Sequence, residues 1–359
     1  MRLIAILLAL MMTVVSLSAC GGKSENDGLD KESKKASTEL EDNSLEFELS
    51  DDEKFYSVKG IGTYKGDVVE IPDEYKGKPV TAIVSYAFSG CEDITQVIIP
   101  ESITSIDSYA FENCTALKEM VIPNSVEGME GCIFIGCTSL EYVTLSENLK
   151  YINPCTFENC SSLKSIHIPA ACESISPGAF SGCVSLETLT VAPENKRLTA
   201  SGNCIIDMKE KMLELGCASS VIPTDSNLVT DIGQNSFLNN TNLKSIEIPE
   251  NIKTIGGGAF KGTSLNNIVL PSRMKAVGDG AFEDCKSLKT VTIGPKVTYI
   301  APEAFAGCDA LSNVIFENTS GWRLSPDGSE GELIDVNDTQ KTIEYLIASD
   351  VSHYLYCKD

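Results

Sequence analysis

The chain has 359 residues, of which 42% are hydrophobic and 7% aromatic, and its formal net charge is −23 at pH 7. This composition allows a large core made mainly of aliphatic side chains. A chain so acidic offers no basic surface, and we therefore expect neither nucleic acid nor an anionic lipid surface as its partner. It has two histidines, His167 and His353, which leaves little scope for histidine-based catalysis.

Residues 1–19 have the composition of a secretory signal peptide, with Arg2 followed by an apolar run over residues 3–15. That run is too short for a comfortable membrane span. The four residues from Leu17 to Cys20 resemble the lipobox of bacterial lipoproteins. The resemblance implies cleavage before Cys20, lipidation of its thiol and attachment to the extracellular face of the bacterial cell membrane. An ordinary signal peptide that contains a cysteine is the alternative.

Residues 20–44 are rich in Lys, Glu, Asp, Ser and Asn and nearly free of apolar side chains. Such a segment cannot bury a core, and we expect a lipidated cysteine followed by a disordered tether. The remaining chain divides into an N-terminal cap and a repeat region over residues 45–316, with an insertion at about 193–230, and a C-terminal cap over residues 317–359.

A phenylalanine recurs every 23 residues along the repeat region. The residue before it is usually alanine, a cysteine usually follows three residues later, and an aliphatic residue follows three residues after that. A period of this length is typical of a solenoid protein. The series comprises Phe88, Phe111, Phe134, Phe157 and Phe180 and then, after a gap, Phe237, Phe260, Phe282 and Phe305.

The aliphatic residue opens a strand motif, as in Leu163–Pro169 and Leu243–Pro249. The three residues before the proline alternate apolar and polar, which predicts a strand with one buried face. The proline ends the strand because it has no N–H for a ladder. A second aliphatic pair follows, as at Ile252 and Ile255. The Ala-Phe segment predicts a tight turn or a single helical turn.

One 23-residue coil cannot bury its own aliphatic side chains, but stacked coils share a core and align their strands into a parallel sheet on one face. The motif L-x-x-I-x-I-P, then I-x-x-I, then A-F-x-x-C closely resembles the BspA-type (Treponema-like) leucine-rich-repeat family over residues 60–316. The resemblance implies a mainly β leucine-rich-repeat solenoid of about ten 23-residue coils, with short helical turns and non-repeat caps.

The regular pattern fails between Phe180 and Phe237, which are two periods and 11 residues apart. Here Cys204–Asp207 and Met212–Leu215 flank a polar turn and predict a β-hairpin. Asn240 replaces the repeated cysteine, and the repeat after Phe260 lacks that position. In the C-terminal cap we expect Trp322 to be a packed residue and residues 338–347 to form a helix.

Two groups stand out among the 14 cysteines. Seven occupy the repeated position, where stacking predicts a ladder of buried free thiols. Two other pairs are disulfide candidates: Cys132 with Cys155, one period apart, and Cys204 with Cys217, on either side of the hairpin. A zinc site from Cys132, Cys137, Cys155 and Cys160 is disfavoured because the ladder members point inward and the spacing is not C-x-x-C. We expect no metal.

The outward face of the predicted sheet is the best candidate binding surface. Its central positions are Ile98, Val121, Thr144, His167, Thr190, Glu247, Val269, Thr292 and Ile315. Several are apolar although they face water, which indicates a contact surface, yet β-branched residues are favoured in strands on any sheet. The candidate ligand-binding residues are Tyr142, Thr144, Lys164, His167, Thr190, Lys244, Glu247 and Thr292.

The sequence contains no G-x-S-x-G, H-E-x-x-H or P-loop motif. We therefore expect a protein that is not an enzyme and needs no cofactor. The family resemblance implies a cell-surface adhesin that binds a host or bacterial surface protein or a glycan. A structural or scaffold protein of the cell envelope is the alternative hypothesis.

Overall fold

The computed structural model describes residues 44–325, 331–348 and 354–357. Within these residues the chain forms a mainly β solenoid of about 11 turns with one short helix, which confirms the predicted fold class. The predicted signal peptide, Cys20, most of the predicted tether and His353 lie outside the described residues. None of the described residues forms a helix long and apolar enough to cross a membrane.

Each regular coil contributes one strand of three or four residues to what we call the long-strand sheet. Neighbouring strands are parallel and pair at equivalent positions, as in Ile166 with Leu189 and His167 with Thr190. Because side chains alternate along a strand, Ile166 and Leu189 are buried while His167 and Thr190 face solvent. The strands are Val68–Glu70, Gln96–Ile98, Glu119–Val121, Tyr142–Thr144, Ser165–Ile168, Thr188–Val191, Asn267–Val269, Thr290–Ile293 and Asn313–Phe316.

The long-strand sheet is interrupted, and the strand predicted within Leu243–Pro249 does not form. Six strands end at Thr188–Val191, and a separate group of three begins at Asn267–Val269. The coil before Leu243 leaves the antiparallel insertion and carries Ser220 where regular coils have a buried aliphatic residue. The Ser220 hydroxyl donates to the Asn203 carbonyl at 2.6 Å. Residues 245–248 form no strand, although the next coil carries the strand Asn267–Val269.

A second series of short strands, which the sequence did not predict, runs along another side of the solenoid and is divided among three sheets. Its strands have two residues each and contain the second member of the I-x-x-I pair. In each of them this aliphatic side chain is buried. The strands are Ser105–Ile106, Gly128–Met129, Tyr151–Ile152, Ser174–Ile175, Asp231–Ile232, Thr254–Ile255, Ala276–Val277 and Tyr299–Ile300.

The Ala-Phe segments form tight turns rather than helical turns. In the first, the Cys91 N–H donates to the Phe88 carbonyl at 3.1 Å. The Phe rings of adjacent coils stack in the core, with centroids 5.2 Å apart for Phe88 and Phe111 and 5.5 Å apart for Phe134 and Phe157. Offset aromatic stacking of this kind adds to the free energy gained from burial.

Two residues after the phenylalanine, asparagine and glycine alternate between coils. Asn113 and Gly136 both adopt a left-handed backbone, with φ of 54° and 75°. A Cβ atom on Gly136 would lie 2.1 Å from Oδ1 of Asn113, and one on Gly182 would lie 2.5 Å from Oδ1 of Asn159. The asparagine side chain of one coil therefore requires glycine in the next.

The insertion contributes three antiparallel strands, Leu198–Ser201, Cys204–Asp207 and Met212–Leu215, and the last of them pairs in parallel with Asp231–Ile232 of the following coil. Its last two strands are the hairpin that the sequence predicted, and its first strand was not predicted. The insertion separates the buried side chains into two clusters. Phe180 stacks on Phe157 and Phe237 stacks on Phe260, but no ring stacking joins Phe180 to Phe237 within the described residues.

Both ends carry caps that depart from the repeat. The indole of Trp322 is 1% exposed and donates to the Asn318 carbonyl at 2.8 Å, which confirms it as a packed cap residue. The C-terminal helix is Thr339–Ile347, with Asp338 as its N-cap. The cap strands are Glu46–Leu49, Tyr56–Gly60, Glu74–Tyr75 and Lys78–Ile83 at the N-terminal end, and Trp322–Ser325, Glu332–Leu333 and Tyr354–Cys357 at the C-terminal end.

The insertion contains a cluster of charged residues. Arg197 Nε lies 2.6 Å from a carboxylate oxygen of Asp207, whose side chain is buried. Glu214 is nearby, and burial raises the pKa of its carboxyl group from 4.5 to about 7, with a further contribution from the negative charge of Asp207. Arg197 opposes this rise. Glu214 in the folded chain is therefore protonated at pH values where a free glutamate is ionised.

Because the pKa of Glu214 is higher in the folded chain than in the unfolded chain, its protonated form stabilises the fold below pH 4.5. This contribution is lost as the pH rises through 7. We expect Glu214→Gln, which keeps a neutral side chain, to raise the thermal unfolding midpoint at pH 8 and to leave it nearly unchanged at pH 4. The exposed Glu147→Gln is the matched control. If the thermal unfolding midpoints of the Glu214 variant and the wild type change equally with pH between 4 and 8, the raised pKa of Glu214 is contradicted.

Candidate binding face

The outward side chains of the long-strand sheet form a continuous row within each group of strands, which we call the rung face. Its apolar members are unusually exposed: Val121 and Val269 have exposed fractions of 60% and 59%, and Ile98 and Ile315 are each 46% exposed. Burying such side chains against a partner is favourable. In the first group Ile98 and Val121 lie between Glu70 and the polar rungs, and in the second group Val269 and Ile315 flank Thr292.

Three consecutive rungs, Thr144, His167 and Thr190, form the polar centre of the face. All three are exposed, and His167 Nδ1 lies 2.9 Å from the Thr190 hydroxyl oxygen. Either atom can be the donor, because the hydrogen positions depend on the histidine tautomer. This group combines donors and acceptors that a polar ligand could bind, and among the described residues no acidic side chain bonds to the His167 ring to orient it.

Beside this polar centre, Lys164 and Tyr142 contact each other. The Lys164 ammonium lies 5.3 Å from the centroid of the Tyr142 ring, within cation–π range, and it also forms an ion pair with Glu141. Tyr142 is 52% exposed. The structure thus places five of the predicted site residues together: Tyr142, Thr144, Lys164, His167 and Thr190.

The other three predicted residues are separate from this group. Lys244 and Glu247 are exposed but lie where the long-strand sheet is interrupted, and Thr292 is half-buried within the second group of strands. The sequence presented these residues as one ladder. The structure divides them because the insertion separates the two groups of strands.

The interruption opens two clefts that sequence reasoning missed. One, of about 490 Å³, lies between residues 220–224 and 245–249. The other, of about 410 Å³, lies between residues 246–250 and 267–271. Val221, which lines the first cleft, is 71% exposed. The signal in the sequence was Ser220, a polar residue where the regular coils bury an aliphatic one.

A column of residues at the turns was also missed. Tyr86 and Tyr109 occupy the same position in adjacent coils, and their rings stack with centroids 4.9 Å apart. Cys132 and Cys155 occupy this position in the next two coils. All four residues have a left-handed backbone, with φ between 56° and 63°. Their 23-residue spacing was visible in the sequence, but it does not show that they share a surface.

The repeated cysteines point into the core. Cys137 Sγ donates to the Phe111 carbonyl of the preceding coil at 3.0 Å, and Cys160 Sγ donates to the Phe134 carbonyl at 3.1 Å. Burial raises the pKa of Cys160 and Cys183, so these groups remain thiols. In the repeat after Phe260, Thr263 occupies the ladder position, and its hydroxyl donates to the Phe260 carbonyl at 2.8 Å. The prediction that this repeat lacks the ladder position was wrong, because Thr263 fills it.

The geometry separates the cysteines of the disfavoured zinc set. Cys137 and Cys160 are fully buried, whereas Cys132 and Cys155 are half-buried at the turns. Among the described side chains, no group of three or more His, Cys, Asp or Glu residues is arranged to hold a metal ion. Every described cysteine is a free thiol. Cys204 and Cys217 are among them. The Sγ of Cys217 accepts from the Asn203 side-chain amide at 3.0 Å.

The repeat pattern was compared with known proteins. The model of the BspA type leucine rich repeat region matches six copies over residues 81–203 and 217–321, well over half of the chain. The protein belongs to the BspA-type leucine-rich-repeat family. Members of this family have a protein-binding or surface-repeat role, and a solenoid of this kind presents the extended face that such a role needs.

Solved structures support the same fold for this BspA-type chain. A leucine-rich repeat protein from Bacteroides ovatus is 26% identical, with a TM-score of 0.55 over 77% of this chain and 70% of that one. The pneumococcal vaccine antigen PcpA is 17% identical, with a TM-score of 0.57 over 78% of this chain and 88% of PcpA. A leucine-rich repeat protein from Eubacterium ventriosum is 21% identical, with a TM-score of 0.50 over 77% and 83%. The last two show likeness of fold alone. No curated protein matches the chain.

Proposed function

We propose that this BspA-type protein is a non-enzymatic cell-surface lipoprotein that acts as an adhesin and binds a protein or a glycan on its rung face. The observation that carries the proposal is the exposure of Val121 and Ile98, 60% and 46%, next to the polar centre of Thr144, His167 and Thr190. Apolar contact area next to donors and acceptors is the composition of a protein recognition surface.

The inner strands of the rung face are held on both sides, whereas Thr188–Val191 is an edge strand. For example, Tyr142–Thr144 pairs with Glu119–Val121 and, through Tyr142, with Ser165 of the next strand. A partner that binds side chains on such strands orders little additional backbone, so less of the contact energy is lost to conformational entropy. Lys164, which pairs with Glu141, and the exposed Lys244 are the lysines among the candidate ligand-binding residues.

Attachment through Cys20 completes the proposal. A diacylated cysteine would hold the solenoid at the extracellular face of the cell membrane, because two acyl chains give stable anchoring where one gives only marginal binding. The support is the lipobox-like segment from Leu17 to Cys20.

The anchor is tested by Cys20→Ala in the full chain expressed in a Gram-positive host. We expect the wild type in the membrane fraction and the variant largely in the culture medium or retained as uncleaved precursor, measured by immunoblotting of the fractions. Cys91→Ala, which changes a cysteine of the solenoid, is the matched control and should stay with the membrane. A Cys20 variant that fractionates as the wild type does would argue against lipid anchoring.

The binding surface is tested by Thr144→Lys, His167→Glu and Thr190→Lys in the chain without residues 1–19. A protein and glycan array identifies the ligand, and titration then gives the dissociation constants. We expect each substitution to weaken binding by about tenfold or more, which corresponds to about 1.4 kcal/mol. Because these side chains face solvent, thermal unfolding should change by no more than about 1 kcal/mol in stability.

Thr298→Lys, at an exposed position away from the rung face, is the control for added charge and should bind as the wild type does. If all three rung variants bind the ligand as the wild type does, the binding site lies outside the rung face. Binding only to components of the same cell envelope would favour the scaffold function over the adhesin function.

A further inference from the structure

Cys132 and Cys155 differ from the ladder cysteines in position and surroundings. They occupy the turn column that begins with Tyr86 and Tyr109, and both have left-handed backbones with φ of 60° and 56°. Each is partly accessible to solvent, whereas Cys137 and Cys160 on the same two coils are fully buried. The same pair of coils therefore carries one cysteine pair at the surface and one in the core.

The two surface cysteines lie against each other across the coil boundary. The Cys132 N–H donates to the carbonyl of Pro154, the residue directly before Cys155, at 2.9 Å. Cys132 Sγ lies 3.8 Å from the same carbonyl oxygen. The coils are closely stacked here, with the Phe134 and Phe157 centroids 5.5 Å apart. A disulfide joins Cα atoms that are about 4.4–6.8 Å apart, so the stacking distance of the coils suits one.

The ladder pair cannot react in the same way. The thiols of Cys137 and Cys160 each donate to a phenylalanine carbonyl of the preceding coil, at 3.0 and 3.1 Å. Both side chains are fully buried, and an oxidant from solvent cannot reach them without local opening of the stack. Exposure therefore selects Cys132 and Cys155 from cysteine pairs that share the same one-coil spacing.

We propose that Cys132 and Cys155 form an oxidisable thiol pair that closes into a disulfide between adjacent coils by exchange with a low-molecular-weight disulfide. In the first step the Cys132 thiolate attacks the small disulfide, forms a mixed disulfide and releases one small thiolate. In the second step the Cys155 thiolate attacks Cys132 Sγ and releases the other. The two cysteines lose two protons and two electrons, and the small disulfide is reduced to two thiols.

The surroundings of Cys155 set the order of these steps. Burial raises the pKa of Cys155, and together with the neighbouring Glu158 and Cys132 it brings the pKa to about 12. Tyr109 is the remaining titratable group that faces the pair. Because the thiolate is the attacking species, the raised pKa slows the attack of Cys155 on Cys132 Sγ. The mixed disulfide on Cys132 therefore accumulates before the pair closes. Closure speeds up as the pH rises.

The test uses the full-length wild-type chain, reduced and then incubated under native conditions with oxidised glutathione. The remaining thiols are alkylated, and the peptides are mapped by mass spectrometry without reduction. We expect a cross-linked peptide that joins Cys132 to Cys155 and is lighter by two hydrogen atoms than its parts. We also expect a glutathione adduct on Cys132 at early times. Cys137 and Cys160 should become alkylated only after denaturation.

Two variants keep the test informative. Cys155→Ser should abolish the cross-link and retain the glutathione adduct on Cys132, whereas Cys132→Ser should lose both. The matched control Cys91→Ser, a half-buried cysteine at the N-terminal end of the ladder, should leave the cross-link unchanged. Circular dichroism of each variant verifies the fold. The proposal is overturned if the oxidised wild type keeps both thiols alkylatable, or if Cys132 pairs with a cysteine other than Cys155.

Discussion

The structure depends on backbone hydrogen bonds that each turn makes with the next coil. The Phe111 N–H donates to the Ile133 carbonyl at 3.0 Å, and the Asn113 N–H donates to the Ile135 carbonyl at 2.8 Å. The stacked phenylalanine rings and the thiol of Cys137, which donates back to the Phe111 carbonyl, reinforce the same boundary. Because these contacts join only adjacent coils, stability comes from nearest neighbours, and the outward strand residues remain free to vary for binding.

The insertion interrupts part of these interactions and leaves a regular inter-coil backbone bond in place. Across it, the Gly182 N–H donates to the Leu238 carbonyl at 3.2 Å, but the rings of Phe180 and Phe237 do not stack within the described structure. Asn240 takes the ladder position, and its buried Oδ1 has no hydrogen-bond partner in the described residues. An unsatisfied buried acceptor costs about 1–3 kcal/mol. The boundary is therefore the weakest part of the stack, and it is also where the rung face divides and its clefts open.

The sequence predicted the features that every coil repeats. The spacing of Phe88, Phe111 and their successors identified the solenoid because each coil needs the same ring in the same place. The strand alternation correctly placed His167 on the solvent side. What it could not predict depends on pairing between coils. Leu243–Pro249 has an intact strand motif but forms no strand, and the coil before it carries Ser220 in place of a buried aliphatic residue. The two-residue strands are too short to show a period, and no local pattern indicates that Tyr142 lies beside Lys164 but far from Thr292.

The central claim, a stack held by nearest neighbours and divided at the insertion, is tested most directly by hydrogen exchange with mass spectrometry on the full chain in increasing denaturant. We expect the coils from Phe88 to Phe180 and those from Phe237 to Phe305 to lose amide protection as two units at different denaturant concentrations. Residues 219–222 between the units, and residues 245–248 in the first coil of the second unit, lack a strand ladder and should exchange first. A single cooperative loss of protection along the whole solenoid, or strongest protection at residues 245–248, would contradict the account.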